Sequence, residues 1–187
     1  MYIQVTLNAK LQPMHRHDLE DALNEIFEKE NIKAKITGGG TGQETNGEIA
    51  YSDLEIDLKE FSDEVIKQII NLLEKILAPN GSKVTIFSEN ENVESKVIPF
   101  GKHEGLGLYL SNDLDNKVYE ECDVNVIYEE IQNLLDEENL GGIESYWEGE
   151  ETALYLYGKS FDEMHKVIKP FLDKYPLCEK SRVVKIA

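Results

Sequence analysis

The chain has 187 residues, 41% of them hydrophobic and 30% charged, which suits one large domain or two of roughly 90 residues each and is too apolar for a disordered protein. Thirty-seven acidic residues against 19 basic ones give a net charge of −18, a potential that repels phosphate backbones and anionic lipid and attracts basic proteins. No apolar run approaches the roughly 20 residues that span a bilayer, and residues 1–7 lack the basic start and apolar core of a signal peptide. The chain is therefore expected to be cytoplasmic, with no nucleic-acid or membrane partner, and its two cysteines, Cys122 and Cys178, to be reduced.

In chain order, Ile3, Val5 and Leu7 alternate with polar residues as a half-buried strand. Pro13 closes the exit from it, and Asp18 is the expected N-cap of a helix whose stripe is Leu19, Ala22, Leu23, Ile26 and Phe27. A strand through Ile32, Ala34 and Ile36 runs into Gly38-Gly39-Gly40-Thr41-Gly42, expected to be a flexible or bulged hairpin. Asn46-Gly47 leads to a strand with Leu54, Ile56 and Leu58. Ser62 is placed to cap a second helix, with Asp63 and Glu64 in its first turn and a stripe of Ile66, Ile69, Ile70, Leu73, Ile76 and Leu77. Pro79-Asn80-Gly81 stops it, and Val84-Thr85-Ile86 is a fourth strand.

After a polar stretch from Ser88 to Lys96 the order recurs. Leu106, Leu108 and Leu110 alternate, and Asp123 opens a helix with Val124, Ile127, Tyr128, Ile131, Leu134 and Leu135 inward. Gly141-Gly142 precede a strand through Ile143 and Trp147, Glu148-Gly149-Glu150 turn, and Leu154 and Leu156 face the core on the way back. Phe161, Met164, Ile168, Phe171 and Leu172 mark a last helix that Pro170 should kink or shorten, and Val183 to Ile186 close the sheet. The segment Leu54–Leu58 can be laid on Ala153–Tyr157, and Ser82-Lys83-Val84 on Ser181-Arg182-Val183. Strand, helix, strand, strand, helix, strand, twice over, predicts an α+β protein of two tandem ferredoxin-like halves, residues 1–96 and 97–187, with helices on one face of each antiparallel sheet.

With Gly38-Gly39-Gly40-Thr41, then Gly47-Glu48, and Tyr175-Pro176-Leu177-Cys178 near the end, the sequence resembles an uncharacterised bacterial family of small acidic proteins. The resemblance implies a tandem ferredoxin-like cytosolic protein and attaches no chemistry to these motifs.

Catalytic and cofactor signals are missing from the sequence. The glycine run is followed by no Gly-Lys-Ser/Thr and leads into a strand, unlike a phosphate loop. There is no strand-to-helix serine with triad partners, no cysteine beside an obvious base and no HExxH. His15 and His17 would share a side only if extended, and a zinc would need further ligands such as His103 or Glu104; a solvated loop is the expectation. No catalytic, cofactor or metal residue is assigned.

The binding signals are stronger. Asp53, Glu55 and Asp57 alternate with apolar residues and so share the strand face away from the helices. They could meet basic side chains of a partner, or pair across the sheet with Lys33 and Lys35. Tyr155 and Tyr157, with Tyr109, occupy the corresponding face of the second half, where RNA-recognition modules stack bases; the acidity disfavours RNA, and burial against the other domain or a partner is the preferred reading. Glu129, Glu130, Glu148, Glu150 and Glu151, with Tyr146 and Trp147 as aromatic anchors, make the densest acidic candidate. The expectation is a non-enzymatic, immunity- or inhibitor-like protein that binds a basic protein partner. The alternative is a tandem regulatory module binding a small metabolite at the domain junction, and a third reading has the acidity serve solubility alone.

Overall fold

The computed structural model describes residues 2–76, 78–87 and 95–187, which divide into two units, Met1–Lys102 and His103–Ala187. The division falls after Lys102, where the sequence reading places it after residue 96.

Alternation makes the first seven residues a strand, β1 (Tyr2–Leu7), with Ile3, Val5 and Leu7 fully buried on one face. Helix α1 (Pro13–Lys29) starts a turn earlier than expected. Pro13 occupies the first turn, where a missing N–H costs nothing and a fixed φ suits the helix; Asp18 lies inside rather than at the cap. The buried stripe is narrow, Leu23 and Phe27 with Arg16 beside them.

The glycine run lies in a bulged hairpin, as expected, but within its strand and not in its loop. Strands β2 (Ala34–Gln43) and β3 (Ile49–Leu58) form a long hairpin, with a bulge between Ile36 and Gly38. Its tip is held by the Glu44 N–H donating to the Glu48 carbonyl and the Glu48 N–H donating to Asn46. The Ser62 hydroxyl accepts from the Val65 N–H at 3.2 Å and so caps α2 (Asp63–Ile76), burying Val65, Ile66, Ile69 and Leu73; Leu77 lies outside the described residues. Strand β4 (Ser82–Ile86) pairs with β1, and β5 (Lys96–Phe100), which no local pattern announces, pairs with β4. Pro99 fits there because an outermost strand can spare an N–H.

The second unit repeats the plan. Its elements are β6 (Glu104–Leu110), a short α3 (Asn116–Glu121), α4 (Val124–Glu138), β7 (Gly141–Glu148), β8 (Thr152–Gly158), α5 (Phe161–Leu172), a 3-10 turn (Pro176–Cys178) and β9 (Arg182–Lys185). The sheet orders are β2-β3-β1-β4-β5 and β7-β8-β6-β9, so four strands in each unit share one order. With helices on one side of each sheet, both units are ferredoxin-like. Asp123 caps α4 by accepting from the Asn125 N–H at 2.9 Å. Pro170 sits in the last turn of α5, which still runs to Leu172, and the Asp173 N–H reaches the Lys169 carbonyl at 2.9 Å. Leu106, Leu108, Ile127, Ile131, Leu154, Leu156, Met164 and Ile168 form the fully buried centre.

Cys178 is 4% exposed in that core, with Cys122 packed against the same cluster. Burial first, and Cys122 second, push its thiol from 9.0 up to about 11. The unfolded chain gives up this proton at lower pH than the folded one, so the stabilisation is complete below pH 9 and is lost as pH rises toward 11. Two outcomes follow for chemical denaturation. Ile131→Ala should lower unfolding free energy by about 2–5 kcal/mol at neutral pH through the cavity it leaves. Between about pH 8 and about pH 10.5 the natural chain should lose about 2 kcal/mol that a Cys178→Ala variant does not lose.

Candidate functional site

The face of the first sheet turned away from its helices is a grid set by strand register. Gly40, Asp53, Thr6 and Lys83 lie in one row across β2, β3, β1 and β4, and Gly38, Glu55, Gln4 and Thr85 in the next. Gly42 stands opposite Tyr51. These glycines face the grid because the bulge sets their register, and Gly38 and Gly42 leave room for their neighbours. A Cβ at Gly42 would lie 2.6 Å from the Tyr51 ring and one at Gly38 would lie 3.0 Å from a Glu55 carboxylate oxygen. At Gly40 nothing lies within 4 Å of such an atom, so the space on the Asp53 side of β2 is open.

The result is a polar trough of about 540 Å³, lined among others by Gln4, Thr6, Tyr51, Asp53, Lys83 and Thr85. Asp53 is the unusual member. Its Oδ1 is buried and accepts no hydrogen bond, which costs free energy wherever it is left so. Tyr51, 42% exposed, offers a ring face beside it, and Tyr2, 51% exposed, stands against Phe87 at 5.1 Å between ring centres. Hydroxyl, amide and ammonium donors thus surround carboxylate acceptors, with an aromatic surface at hand.

The acidic stripe is therefore not uniform. Asp57 stands opposite Lys35 on β2, as the pairing alternative requires, whereas Lys33 donates to Asn31 at 2.6 Å. Glu55 lies over Gly38, and a buried oxygen without a partner belongs to Asp53.

In the second unit the expected aromatic face is closed. Tyr109, Tyr155 and Tyr157 are 5%, 0% and 2% exposed. The Arg182 guanidinium lies 3.8 Å above the Tyr109 ring, and Ile186 comes close enough to Gly105 that a Cβ there would be 2.7 Å away. Tyr146 and Trp147 stand opposite Leu154 and Ala153 on successive positions, so they point to opposite sides and do not form a joint anchor. Glu129 and Glu130 are exposed on α4, Glu148 and Glu150 are exposed at the β7–β8 turn, and Glu151 is paired with Arg182.

His15 and His17 lie in α1, where two residues apart means different sides; the Arg16 Nη2 contacts His17 Nε2 at 3.0 Å. Burial, partly offset by Asp18, holds His15 below its ordinary value. Glu104 instead accepts from the Phe161 N–H at the start of α5 and from Lys185. Those bonds, Lys185 foremost, hold its carboxyl below the usual range. Among the described residues no cluster of three or more His, Cys, Asp or Glu is arranged for a metal ion, and no helix is long and apolar enough to cross a membrane.

Sequence reasoning assigned Asp53 but missed Gln4, Thr6, Tyr51, Lys83 and Thr85. The available signal was the polar phase of β1 and β3 together with glycine at every second position from 38 to 42. Gly40→Val is expected to fold with stability within about 1 kcal/mol of the natural chain, because its side chain enters open space. Thermal denaturation checks this.

No family model matches the chain, and no curated protein matches it. Among solved structures it is similar to the first two RRM domains of the yeast poly(U) binding protein Pub1, at 12% identity and a TM-score of 0.26, over 100% of this chain and 99% of that one. The expectation of a basic protein as partner, and of no nucleic acid, is corrected beside this finding: the residues expected to carry it do not form one surface, since Tyr146 and Trp147 point to opposite sides and Glu151 is paired with Arg182. The physical reason the expectation failed is that net charge sums over the whole surface and does not describe any one face. At this identity and score the likeness assigns neither partner nor activity.

Proposed function

We propose that the chain is a non-catalytic binding module whose ligand-contacting surface is the open face of the first sheet, and that the ligand is a nucleobase. The observation that carries this reading is the Asp53 carboxylate, with one buried oxygen unpartnered, in a polar trough beside the exposed ring of Tyr51. A base is planar, so it can stack on Tyr51, and its edge N–H groups suit the carboxylates, while Gln4, Thr6 and Thr85 answer its carbonyl and imino positions.

The charge of the trough also constrains the form of the ligand. Lys83 is its one lysine among the lining residues, beside Glu44 and Asp53, so little affinity comes from phosphate. Binding should depend weakly on salt, unlike that of proteins that neutralise many phosphates.

The test is calorimetric titration of the full chain with the common nucleosides, their monophosphates and short single-stranded oligonucleotides. Binding of at least one base, weakened about 5- to 100-fold by Tyr51→Ala through loss of a stacked ring, is the expected result. Asp53→Asn should change which base is preferred, since it exchanges an acceptor for a donor. Comparable affinity for nucleoside and oligonucleotide would assign a free metabolite; tighter oligonucleotide binding would assign a single strand. Absence of heat for every base, or binding untouched by both substitutions, sinks the reading.

A further inference from the structure

The second unit holds a pair of thiols whose surroundings bring them together, independently of the ligand reading above. Cys178 closes the 3-10 turn Pro176–Cys178, and its N–H donates to the Tyr175 carbonyl at 2.9 Å. Tyr175 reaches across to the residue after Cys122. Its hydroxyl accepts from the Asp123 N–H at 3.0 Å and donates to the Asp123 carbonyl at 2.9 Å. The Tyr175 ring is itself stacked on Phe171 at 5.3 Å, so the strap is anchored in α5. Cys122, the C-cap of α3, packs against the cluster that contains Cys178, and α3 contacts the 3-10 turn directly. Cys122 is half-buried and Cys178 buried; one thiol is within reach of solvent reagents and the other backs it.

We propose that Cys122 and Cys178 are a dithiol that closes to an intramolecular disulfide when the chain meets a peroxide. Cys122, as the thiolate, attacks one oxygen of hydrogen peroxide, breaking the O–O bond; it becomes a sulfenic acid, and the departing hydroxide takes up the thiol proton as water. The Cys178 sulfur then attacks the Cys122 sulfur, the S–O bond breaks, and the hydroxide leaves as a second water with the Cys178 proton. Two electrons pass from the two sulfurs to the peroxide. The order of attack follows from exposure, and the proton held tightly on Cys178 makes it the resolving rather than the attacking thiol.

Purified, fully reduced chain is treated with equimolar hydrogen peroxide, quenched with an alkylating agent and measured by intact mass and non-reducing peptide mapping. Alkylatable thiols should fall from two per chain to none, with one peptide pair joining Cys122 to Cys178, no covalent dimer, and full recovery by a reductant. Cys122→Ser should leave Cys178 reduced under the same dose, and Cys178→Ser should trap Cys122 as a sulfenic acid that a dione probe captures. The proposal is overturned by a Cys122 sulfinic acid beside an alkylatable Cys178, by a disulfide between chains, or by oxidation of Cys178 in Cys122→Ser at the natural rate. Should Cys178→Ser fail to fold, the natural chain and Cys122→Ser decide the matter between them.

Discussion

The first unit is organised by the pairing of β1 on both of its edges. Ile3 stands between Ile56 and Ile86, and Val5 between Leu54 and Val84. Because side chains alternate along a strand, this double pairing settles both faces at once. The apolar phase becomes the floor on which α1 and α2 rest, and the polar phase becomes the grid in which Asp53, Thr6 and Lys83 are neighbours. A one-residue slip would exchange the two faces entirely, so core and trough are two readings of one register. The same device recurs in the second unit, where Leu106 and Leu108 of β6 stand between residues of β8 and β9.

The two open faces then diverge, and side-chain size explains why. On the first sheet, glycines at the β2 edge face carboxylates and a tyrosine, which leaves space and unsatisfied polarity. On the second, glycines lie at the centre, at Gly105 and Gly107, where Tyr109, Tyr157 and Ile186 fill what a side chain would have taken. The same residue thus opens one surface and closes the other, depending on which neighbours surround it. A buried tyrosine ring under a guanidinium gains packing and cation–π attraction, whereas a carboxylate oxygen without a donor is a standing cost. Such costs concentrate where a surface is reserved for a ligand.

Much of the architecture is legible in the sequence, because its periodicities are strong and local. The alternation of Ile3, Val5 and Leu7, the Ser62 and Asp123 caps, the stripe Ile127-Ile131-Leu135 and the turn at Glu148-Gly149-Glu150 all report on residues a few positions apart. What fails depends on distant partners. The run from Gly38 to Gly42 has no strand propensity of its own and is extended because β3 pairs with it along its whole length. Strand β5 exists because β4 offers an edge, and Pro13 could be read as a breaker or as a first-turn residue until the chain on either side was placed. The site suffers in the same way. Alternation told which face Tyr155 and Tyr157 occupy but not that Arg182 of the same unit lies over Tyr109 there, and total charge told nothing of the local chemistry around Asp53.

The outer strands of the first sheet are unequally guarded. At one border β5 carries Lys96 and Pro99, and proline withholds a donor from any strand that approaches. At the other, β2 presents a backbone bare of side chains over most of its second half, with Lys35 near its start. Bare, extended backbone is a template on which further strands can assemble, and steric bulk does not protect it here. Mutual repulsion between copies that each carry −18 does so instead. Colloidal behaviour is thereby tied to ionic strength: in concentrated salt, where charges are felt over only a few ångströms, the glycine border is the part of the first sheet most open to self-association.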